Sequence, residues 1–400
     1  MEAVDVQGFA GGFTCGVVQA GWDLVAKREL PGGFGVPACE ANRHILGEKF
    51  ETEVGPWHEW TPVNVPFVFG NPPCSGFSLM SASHFRGPDS PINNCMKALI
   101  EYAARCDPEI VMFESVQQAY SQGRELMQRL RDLLEVRTDR LYTLVHILQQ
   151  GYNLGGPAWR PRFFACFTRI PFGVERPDVT NQPLWGDLIG DLASQPLEWQ
   201  PRQYVNVQKI HPWVKREVRT GRSTFVDGHD TWSHTQPLWE RLRDLNEMLN
   251  GEWPENMTIQ VALREVYRRH GRLPDSFSRV QDKMVANDFA SGFHQPNRWR
   301  TDRPCRVMTG AAGSLVIHPW SFRPLTGREV LRGQGFPDDW RVSELPNNSK
   351  TSMYWGKGIP VQVGRWAATW ARQSIEGAPG RVIGRPIGPR ERLIDVQRPV

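Results

Sequence analysis

The sequence contains no uncharged apolar run approaching the roughly 18 residues that a membrane-spanning helix needs, which predicts a protein without a membrane span. Its amino terminus also lacks the basic stretch followed by an apolar stretch that marks a secretory signal, so we expect a cytoplasmic protein. The seven cysteines are scattered and include no C-x-x-C pair, which argues against a disulfide framework and against a zinc site. We therefore expect reduced thiols and no bound metal.

Net charge is also small: a formal charge of +4 over 400 residues does not by itself indicate a nucleic-acid ligand. The arginines are nevertheless clustered in the second half of the chain, among tryptophan and tyrosine. Such clusters suit phosphate contacts and base stacking, whereas a solvated basic surface is the alternative. The clusters are Lys215, Arg216, Arg219 and Arg222; Arg264, Arg268, Arg269 and Arg272; and Arg298 and Arg300.

A glycine-rich turn lies near the amino terminus, between a segment that predicts a strand and one that predicts a helix. Such a turn lets a ligand approach backbone N–H groups at the start of the helix. Glu29 follows the next apolar segment, where doubly wound folds hold ribose hydroxyls. A tight turn with a solvent-facing acid is the alternative, because the spacing departs from the dinucleotide pattern. The candidate cofactor residues here are Asp5, Gln7, Gly8, Phe9, Gly11, Gly12 and Glu29.

A second candidate site centres on Cys74. The apolar segment 65–69 predicts a buried strand, after which Pro72 and Pro73 fix the backbone into a stiff turn. A cysteine held at the edge of an open α/β sheet, where ligand crevices lie, suits a nucleophile, because the thiolate is the attacking form. A purely structural turn is the alternative. The polar segment 79–94 predicts a mobile loop beside it.

Two more strands are predicted beside charged side chains. The apolar segment 110–113 ends at Glu114, and a carboxylate at the end of a buried strand is costly unless it is paired or used. Arg160 and Arg162 lead into the apolar segment 163–167 and, being two residues apart, should point to the same face. We therefore single out these three residues as functional candidates.

The alternation of strands and helices stops after residue 172, where proline and tryptophan become frequent and the periodicity fades. We predict a first domain over residues 1–172 and a second over 173–349. A helical segment follows over 350–376. Residues 377–400 are rich in proline, glycine and arginine and predict a poorly ordered basic tail.

Taken in order, these segments resemble the DNA cytosine-5 methyltransferase family. Each motif alone is weak, but six in the family's order are specific. The resemblance implies an α/β fold: a doubly wound, Rossmann-like sheet of S-adenosylmethionine-dependent methyltransferases, with a smaller target-recognition domain inserted before a helix that returns to the first domain. The matching motifs are the glycine turn with Glu29, Pro72-Pro73-Cys74, Glu114-Ser115-Val116, Arg160-Pro161-Arg162, Arg323 to Pro337, and Gly356 to Val363.

The resemblance also implies the chemistry. Cys74 would add to C6 of a cytosine flipped out of double-stranded DNA, so that C5 becomes nucleophilic. Glu114 would bind N3 and N4, and Arg162 with Arg160 would hold O2. We expect the enzyme to act as a monomer.

The donor implied by the resemblance is S-adenosylmethionine, bound by the glycine turn and Glu29 together with Pro72, Lys357 and Gly358. The recognition domain would supply most of the contacts to DNA, and the loop after the cysteine would supply the rest. The expected nucleic-acid contacts are Ser78, Ser81, His84, Arg86, Arg219, Arg222 and Arg323.

Several motif positions depart from the family pattern: Gln7, Ser75, Ser115 and Ala158 replace Phe, Gln, Asn and Gln. A further departure, Lys357-Gly358, replaces Asn-Ser near the transferable group. A lysine cation there would repel a sulfonium by on the order of a kcal/mol. An anionic donor would reverse the sign, so carboxy-S-adenosylmethionine with a carboxymethyl product is an alternative to methylation.

Lys357 could also point to solvent or to a DNA phosphate. An RNA cytosine methyltransferase and a non-catalytic DNA-binding homologue remain as further alternatives to a DNA methyltransferase.

Overall fold

The computed structural model describes residues 1–31, 35–78, 86–158, 160–177, 182–193, 238–251, 253, 259–277, 297–306, 308, 316–320, 325–341, 356 and 358–397. The chain divides into two compact units. The first unit comprises Met1–Pro183, Gly333–Leu345 and Lys357–Val400, and the second comprises Leu184–Arg332 and Pro346–Gly356.

Strands of the described residues form two sheets. The strands are β1 (Glu2–Val6), β2 (Asp23–Glu29), β3 (Glu51–Val54), β4 (Phe67–Gly70), β5 (Ile110–Ser115), β6 (Thr143–Gln150), β7 (Pro161–Thr168), β8 (Asn297–Arg298), β9 (Val316–Ile317), β10 (Arg385–Gly388) and β11 (Glu391–Asp395). In the second unit β8 pairs with β9, and in the first unit the other nine strands form one sheet in the order β10-β11-β6-β7-β5-β4-β1-β2-β3.

The strand directions of the large sheet define the functional edge of the first unit. Strands β3, β2, β1, β4 and β5 run parallel, whereas β7 is antiparallel to both β5 and β6. The carboxyl ends of parallel strands meet at one edge, so the turns after β1 and β4 and the end of β5 lie together there. This sheet, with helices on both faces, confirms the predicted doubly wound α/β fold.

The helices of the described residues are α1 (Gly12–Gln19), α2 (Gly35–Glu40), α3 (Arg43–Leu46), α4 (Asn94–Cys106), α5 (Gln118–Thr138), α6 (Trp185–Ile189), α7 (Leu238–Met248), α8 (Ile259–His270), α9 (Gly327–Arg332) and α10 (Val361–Ile375). No helix among them has the length and apolarity that a bilayer span demands.

Helices α4 and α5 cover one face of the sheet because each has an apolar stripe at helical spacing. Met96, Leu99 and Ala103 of α4 and Met127 and Leu134 of α5 are fully buried in one core cluster with strand side chains. Burial of apolar side chains on this scale is the main source of stability of such a layer.

The other face of the sheet is covered by α1 and the returning helix α10. The Phe13 ring lies 5.0 Å from that of Phe69 and 5.5 Å from that of Phe164, which fixes α1 over β4 and β7. A Cβ atom on Gly16 would lie 2.4 Å from the backbone nitrogen of Arg365, so only glycine allows the two helices to approach this closely.

The second unit has its own buried aromatic and polar contacts. Trp185 and Trp299 are buried, with ring centroids 5.4 Å apart. Arg332 in α9 bonds to Asp191 Oδ1 at 2.5 Å. His318 Nε2 lies 3.3 Å from Glu329 Oε1, and both side chains are fully buried.

The expectation of a poorly ordered tail after residue 377 is wrong. Strands β10 and β11 form a hairpin, and β11 adds to the sheet parallel to β6. Alternating Leu393 and Glu391 face the α5 side, where Leu393 enters the core cluster. Composition alone missed this strand because its five residues carry only two apolar positions, Leu393 and Ile394.

A buried polar network fixes the hairpin to the sheet. Glu391 is 1% exposed and accepts bonds from Arg124 at 2.8 Å, Gln128 at 2.9 Å and His146 at 2.7 Å. Burial acts to raise the pKa of Glu391, but these three partners outweigh it and lower the pKa to about 2. The ionised carboxylate therefore stabilises the fold fully at pH values above 4.5, the ordinary pKa of glutamate. This stabilisation is lost as the pH falls towards 2.

We predict that Glu391→Gln lowers the free energy of unfolding by about 2 kcal/mol at pH 7, because charge-assisted bonds to a buried carboxylate are lost. The difference from the unsubstituted protein should shrink below pH 4.5. Glu376→Gln, which removes an exposed ion pair with Arg372 on α10, is the matched control and should cost less than about 0.5 kcal/mol. Urea denaturation measures both, and equal losses in the two variants would contradict the role given to Glu391.

Candidate active site

Glu114 is the buried carboxylate at the centre of the candidate site. It lies next to the end of β5 and is 3% exposed. Asn71 Nδ2 donates a hydrogen bond to its Oε2, and Arg162 Nε lies 2.5 Å from its Oε1 in an ion pair. Burial raises the pKa of Glu114 to about 7, although Arg162 and Asn71 both act to lower it. This carboxyl group can therefore hold or release a proton near neutral pH.

The sheet register explains why these side chains meet. Glu114 on β5 lies opposite Phe164 on β7, and Arg162 is two residues away on β7, so both charged side chains project from the same face. Asn71 follows directly after Gly70, which lies opposite Phe113 on the neighbouring parallel strand. Strands β5 and β7 and the turn after β4 thus each supply one member of the cluster.

Cys74 lies on the turn that follows β4. Pro72 is buried while Cys74 is half-buried, and the Cys74 carbonyl accepts the N–H of Phe77 at 3.0 Å. Phe77 is fully buried and occupies the space beside Gly123 in α5, where a Cβ atom would lie 2.6 Å from its ring. The cysteine is therefore held by an apolar anchor three residues further along the chain.

The loop after the cysteine has a fixed base. The Gly87 N–H donates to the Gly76 carbonyl at 2.8 Å, and Asn93 Nδ2 donates to the carbonyls of Gly87 and Pro88. Ser78 and Arg86, at the two ends of the loop, are half-buried. Ser81 and His84 lie outside the described residues.

The glycine turn after β1 rests on a buried ion pair. Lys27 and Asp5 are fully buried, and Lys27 Nζ lies 2.6 Å from Asp5 Oδ2, which also accepts from Thr14 Oγ1 at 2.7 Å. A Cβ atom on Gly8 would lie 2.1 Å from this carboxylate, so the turn passes directly over it. The Asp5 carboxylate thus packs against the backbone of the turn. A direct contact between Asp5 and the methyl donor stays a prediction.

Two residues of the turn that are not glycine have a left-handed backbone conformation. Gln7 and Phe9 have φ angles of 58° and 52°, in the left-handed region that favours glycine. Gln7 Nε2 is held by the carbonyl of Cys95 at 2.9 Å, while its buried Oε1 has no donor among the described residues. Asp5 Oδ1 is likewise buried without a donor in this part of the chain.

Glu29, at the end of β2, is 5% exposed and accepts the N–H of Leu30 at 3.1 Å. Burial raises its pKa to about 7; Lys27 acts to lower the pKa and Asp5 to raise it. A Cβ atom on Gly35 would lie 2.6 Å from Glu29 Oε2, so the start of α2 approaches this carboxylate closely. The solvent-facing acid considered as the alternative is therefore wrong.

The returning part of the first unit packs on the same turn. A Cβ atom on Gly12 would lie 2.1 Å from the Ile359 carbonyl, and one on Gly11 would lie 2.9 Å from the Trp340 ring. Gly358 is buried, and its carbonyl accepts from Gln334 Nε2 at 3.1 Å. The glycine turn, residues 333–341 and the start of α10 are thus one packed layer.

Several predicted residues lie outside the described part of the chain, and two residues of the site were not predicted. Arg219, Arg222, Arg323 and Lys357 lie outside the described residues, whereas Arg160 is buried, 6% exposed, just before β7. Sequence reasoning missed Asn71 and Lys27. Asn71 could have been found as the polar residue directly before the proline pair. Lys27 could have been found as a charge in an otherwise buried strand.

Comparison with solved structures shows which proteins share this fold. The fold is similar to a candidate DNA modification methyltransferase encoded within an E. coli prophage (TM-score 0.57, 15% identity, 94% of this chain and 99% of that chain). It is also similar to a DNMT2 mutant of Spodoptera frugiperda (TM-score 0.52, 13% identity, 93% of this chain and 99% of that chain). These likenesses support the methyltransferase fold.

Sequence comparison then gives the family. A family model for C-5 cytosine-specific DNA methylase matches residues 1–369, and the chain belongs to that family of enzymes. It is 22% identical over 372 residues to the type II methyltransferase M.DdeI of Desulfomicrobium norvegicum, spanning 90% of this chain and 83% of that protein. It is 24% identical over 377 residues to the type II methyltransferase M.MthTI of Methanothermobacter thermautotrophicus, spanning 92% and 96%.

We predict that Lys27→Met lowers the free energy of unfolding by about 3 kcal/mol or more, because it leaves the buried Asp5 carboxylate without its cation. Lys97→Met, an exposed lysine on α4, is the matched control and should change stability by less than about 0.5 kcal/mol. Adding Asp5→Asn to Lys27→Met should recover part of the loss. Thermal and urea unfolding check this, and a Lys27→Met protein as stable as Lys97→Met would contradict it.

Proposed function

We propose that this protein transfers a methyl group from S-adenosylmethionine to C5 of a cytosine flipped out of double-stranded DNA, through a covalent adduct with Cys74. The observation that carries the proposal is the buried Glu114, held by Arg162 and Asn71, at the sheet edge that also carries the cysteine turn. A carboxyl group of this kind is suited to gripping a heteroaromatic edge and giving it a proton.

Named side chains carry out the addition to the ring and its reversal. The Cys74 thiolate forms a bond to C6 of the cytosine, and Glu114 donates its proton to N3, so the ring becomes a neutral enamine with a nucleophilic C5. Arg162, supported by Arg160, stabilises the partial negative charge that O2 gains as the C6–S bond forms. After alkylation a base removes the C5 proton. The N3 proton then returns to Glu114, the C5–C6 double bond re-forms, and the C6–S bond breaks to release Cys74 as the thiolate.

The residues around the glycine turn fit an S-adenosylmethionine-type donor. Such a donor carries ribose hydroxyls and an ammonium group, and the buried Asp5 Oδ1 and Gln7 Oε1 accept no hydrogen bond from the described residues. Glu29 suits the ribose hydroxyls, and the buried Pro72 and Gly358 belong to the proposed donor site. When bound, the donor supplies the electrophilic carbon.

DNA contacts in this proposal come from two places. Ser78 and Arg86 flank the loop after Cys74, and the Gly87 N–H bond to the Gly76 carbonyl holds these two ends of the loop beside the cysteine turn. The basic residues Arg219, Arg222 and Arg323 are assigned to DNA from the family resemblance and their charge, as are Ser81 and His84 in the loop.

A second candidate reaction, carboxymethyl transfer from carboxy-S-adenosylmethionine, is favoured by one sequence observation: Lys357 replaces the asparagine that the related enzymes have near the transferred group. A cation there attracts a carboxylate and repels a sulfonium. The product would be 5-carboxymethylcytosine.

Nucleoside mass spectrometry of DNA incubated with each donor tests both reactions. We expect 5-methylcytosine with S-adenosylmethionine, and none with Cys74→Ser, because serine oxygen is a far weaker nucleophile. A carboxymethyl product lost in Lys357→Asn would establish the second reaction instead. The absence of any modified cytosine with either donor would contradict both.

Substrate class and catalysis can be separated on the same preparation. Duplex DNA containing 5-fluorocytosine should trap a covalent complex that Cys95→Ser retains and Cys74→Ser loses. A non-catalytic DNA-binding homologue would bind this DNA without an adduct. Faster modification of transfer RNA than of DNA in a competition assay would favour the RNA alternative.

The raised pKa of Glu114 predicts the pH dependence of the reaction. The acid is needed in its protonated form, so the single-turnover rate should fall as the pH rises through about 7. Glu114→Gln should lose about a hundredfold in rate and lose this alkaline limb, whereas Glu125→Gln, an exposed residue of α5, should keep both. The rate is measured at a saturating concentration of S-adenosylmethionine, so that titration of Glu29 does not affect it. If Glu114→Gln kept the fall in rate above about pH 7, Glu114 would not be the acid.

A further inference from the structure

Gln149, near the end of β6, is a polar side chain that the mechanism above does not use. It is fully buried, and its Oε1 accepts the N–H of Gln150 at 2.8 Å. That bond fixes the orientation of the amide, because only the oxygen can accept. The Nε2 atom is buried and meets no acceptor in the described part of the chain. A buried amide with two unused N–H groups is costly unless a ligand completes it.

The register of the sheet directs this amide towards the candidate site. Gln149 on β6 lies directly opposite Arg162 on β7, and Ile147 lies opposite Phe164. Phe164 in turn lies opposite Glu114 on β5. Directly opposed residues share a face, and residues two apart on a strand share it as well. Gln149, Arg162 and Glu114 therefore project from one face of three adjacent strands.

We propose that Gln149 is a further base-contacting residue, whose Nε2 donates a hydrogen bond to the same carbonyl oxygen of the flipped pyrimidine that Arg162 holds. This rests on the proposed function, since it requires a base in the pocket. Side chains opposed across an antiparallel pair have Cβ atoms about 4.5–5.5 Å apart, so an atom bound by Arg162 lies within reach of the glutamine amide.

The position of Arg162 beside the Gln149 amide indicates which atom of the base accepts its hydrogen bond. A carbonyl oxygen has two lone pairs and can accept from a guanidinium and an amide together. The O2 atom of cytosine is such an oxygen, whereas the exocyclic N4 is a donor and belongs to the Glu114 side of the ring. Both donors would stabilise the charge that O2 gains when the cysteine adds to C6.

The test begins by mapping the target cytosine, using bisulfite sequencing of plasmid DNA treated with the full-length enzyme. Three duplexes are then made with cytosine, pyrimidin-2-one or an abasic site at that position. Gln149→Leu is compared with Gln150→Leu, its neighbour on β6, whose Nε2 instead bonds to the Gln397 carbonyl at 2.7 Å. Gln149→Glu, nearly identical in size but lacking both N–H donors, replaces Gln149→Leu if that variant does not fold.

We expect Gln149→Leu to lower the single-turnover rate on cytosine by about tenfold, less than the loss typical of a sole oxyanion donor because Arg162 remains. The rate of adduct formation with pyrimidin-2-one, which keeps O2 and lacks the amino group, should fall by the same factor. The Kd for the abasic duplex and the KM for the donor should stay within about twofold. Gln150→Leu should resemble the unsubstituted enzyme throughout.

Two results would overturn the assignment. Equal behaviour of Gln149→Leu and Gln150→Leu on all three duplexes would show that the amide does not contact the base. Equal loss on abasic and cytosine duplexes would place the contact on the DNA backbone. An unsubstituted enzyme that forms no adduct would instead contradict the proposed function, so the two failures are distinguishable.

Discussion

The burial of a carboxyl group between a guanidinium and an amide is the constraint on which the candidate site depends. An unpaired charge at this depth would be unfavourable by several kcal/mol, so the ionised Glu114 depends on Arg162 and Asn71, which the register of β5 and β7 and the end of β4 bring beside it. The antiparallel insertion of β7 between β5 and β6 makes this pairing possible, because it brings the start of β7 to the carboxyl end of β5.

The proposed donor half of the site, at the end of the neighbouring strand β1, also depends on a buried ion pair. Lys27 compensates two acidic groups, Asp5 and Glu29, and thereby allows a carboxylate to lie directly under a backbone turn. Gly8 and Gly12 are needed there because a Cβ atom on either would overlap the neighbouring atoms. The proposed donor and base halves therefore each contain a buried acid paired with a buried cation, and they lie at the same edge of the sheet.

The sequence predicted the parts of this arrangement that have local signatures. Strand ends marked by glycine, a proline pair, a terminal carboxylate and paired arginines led to Cys74, Glu114 and Arg162, because apolar runs and turn residues act over a few positions. The doubly wound sheet was predicted from the order of these motifs, through the family resemblance. Asn71, Lys27 and Gln149 were not predicted, since their importance depends on which strand lies beside them. The strand at residues 391–395 escaped for the same reason: its pairing with β6 is set by contacts far away in the chain.

Strand β11 is synthesised long after β6, the strand with which it pairs. The two residues that join β11 to β6, Glu391 and His146, are 245 positions apart, so β6 emerges from the ribosome long before its neighbour exists. Until then β6 presents an open row of backbone donors and acceptors, a template for pairing with another chain. Afterwards the outer edge passes to the four-residue β10, which is short and interrupted by Pro386. Interrupted synthesis should therefore give aggregation-prone fragments, and sheet closure should be a late, slow event in folding.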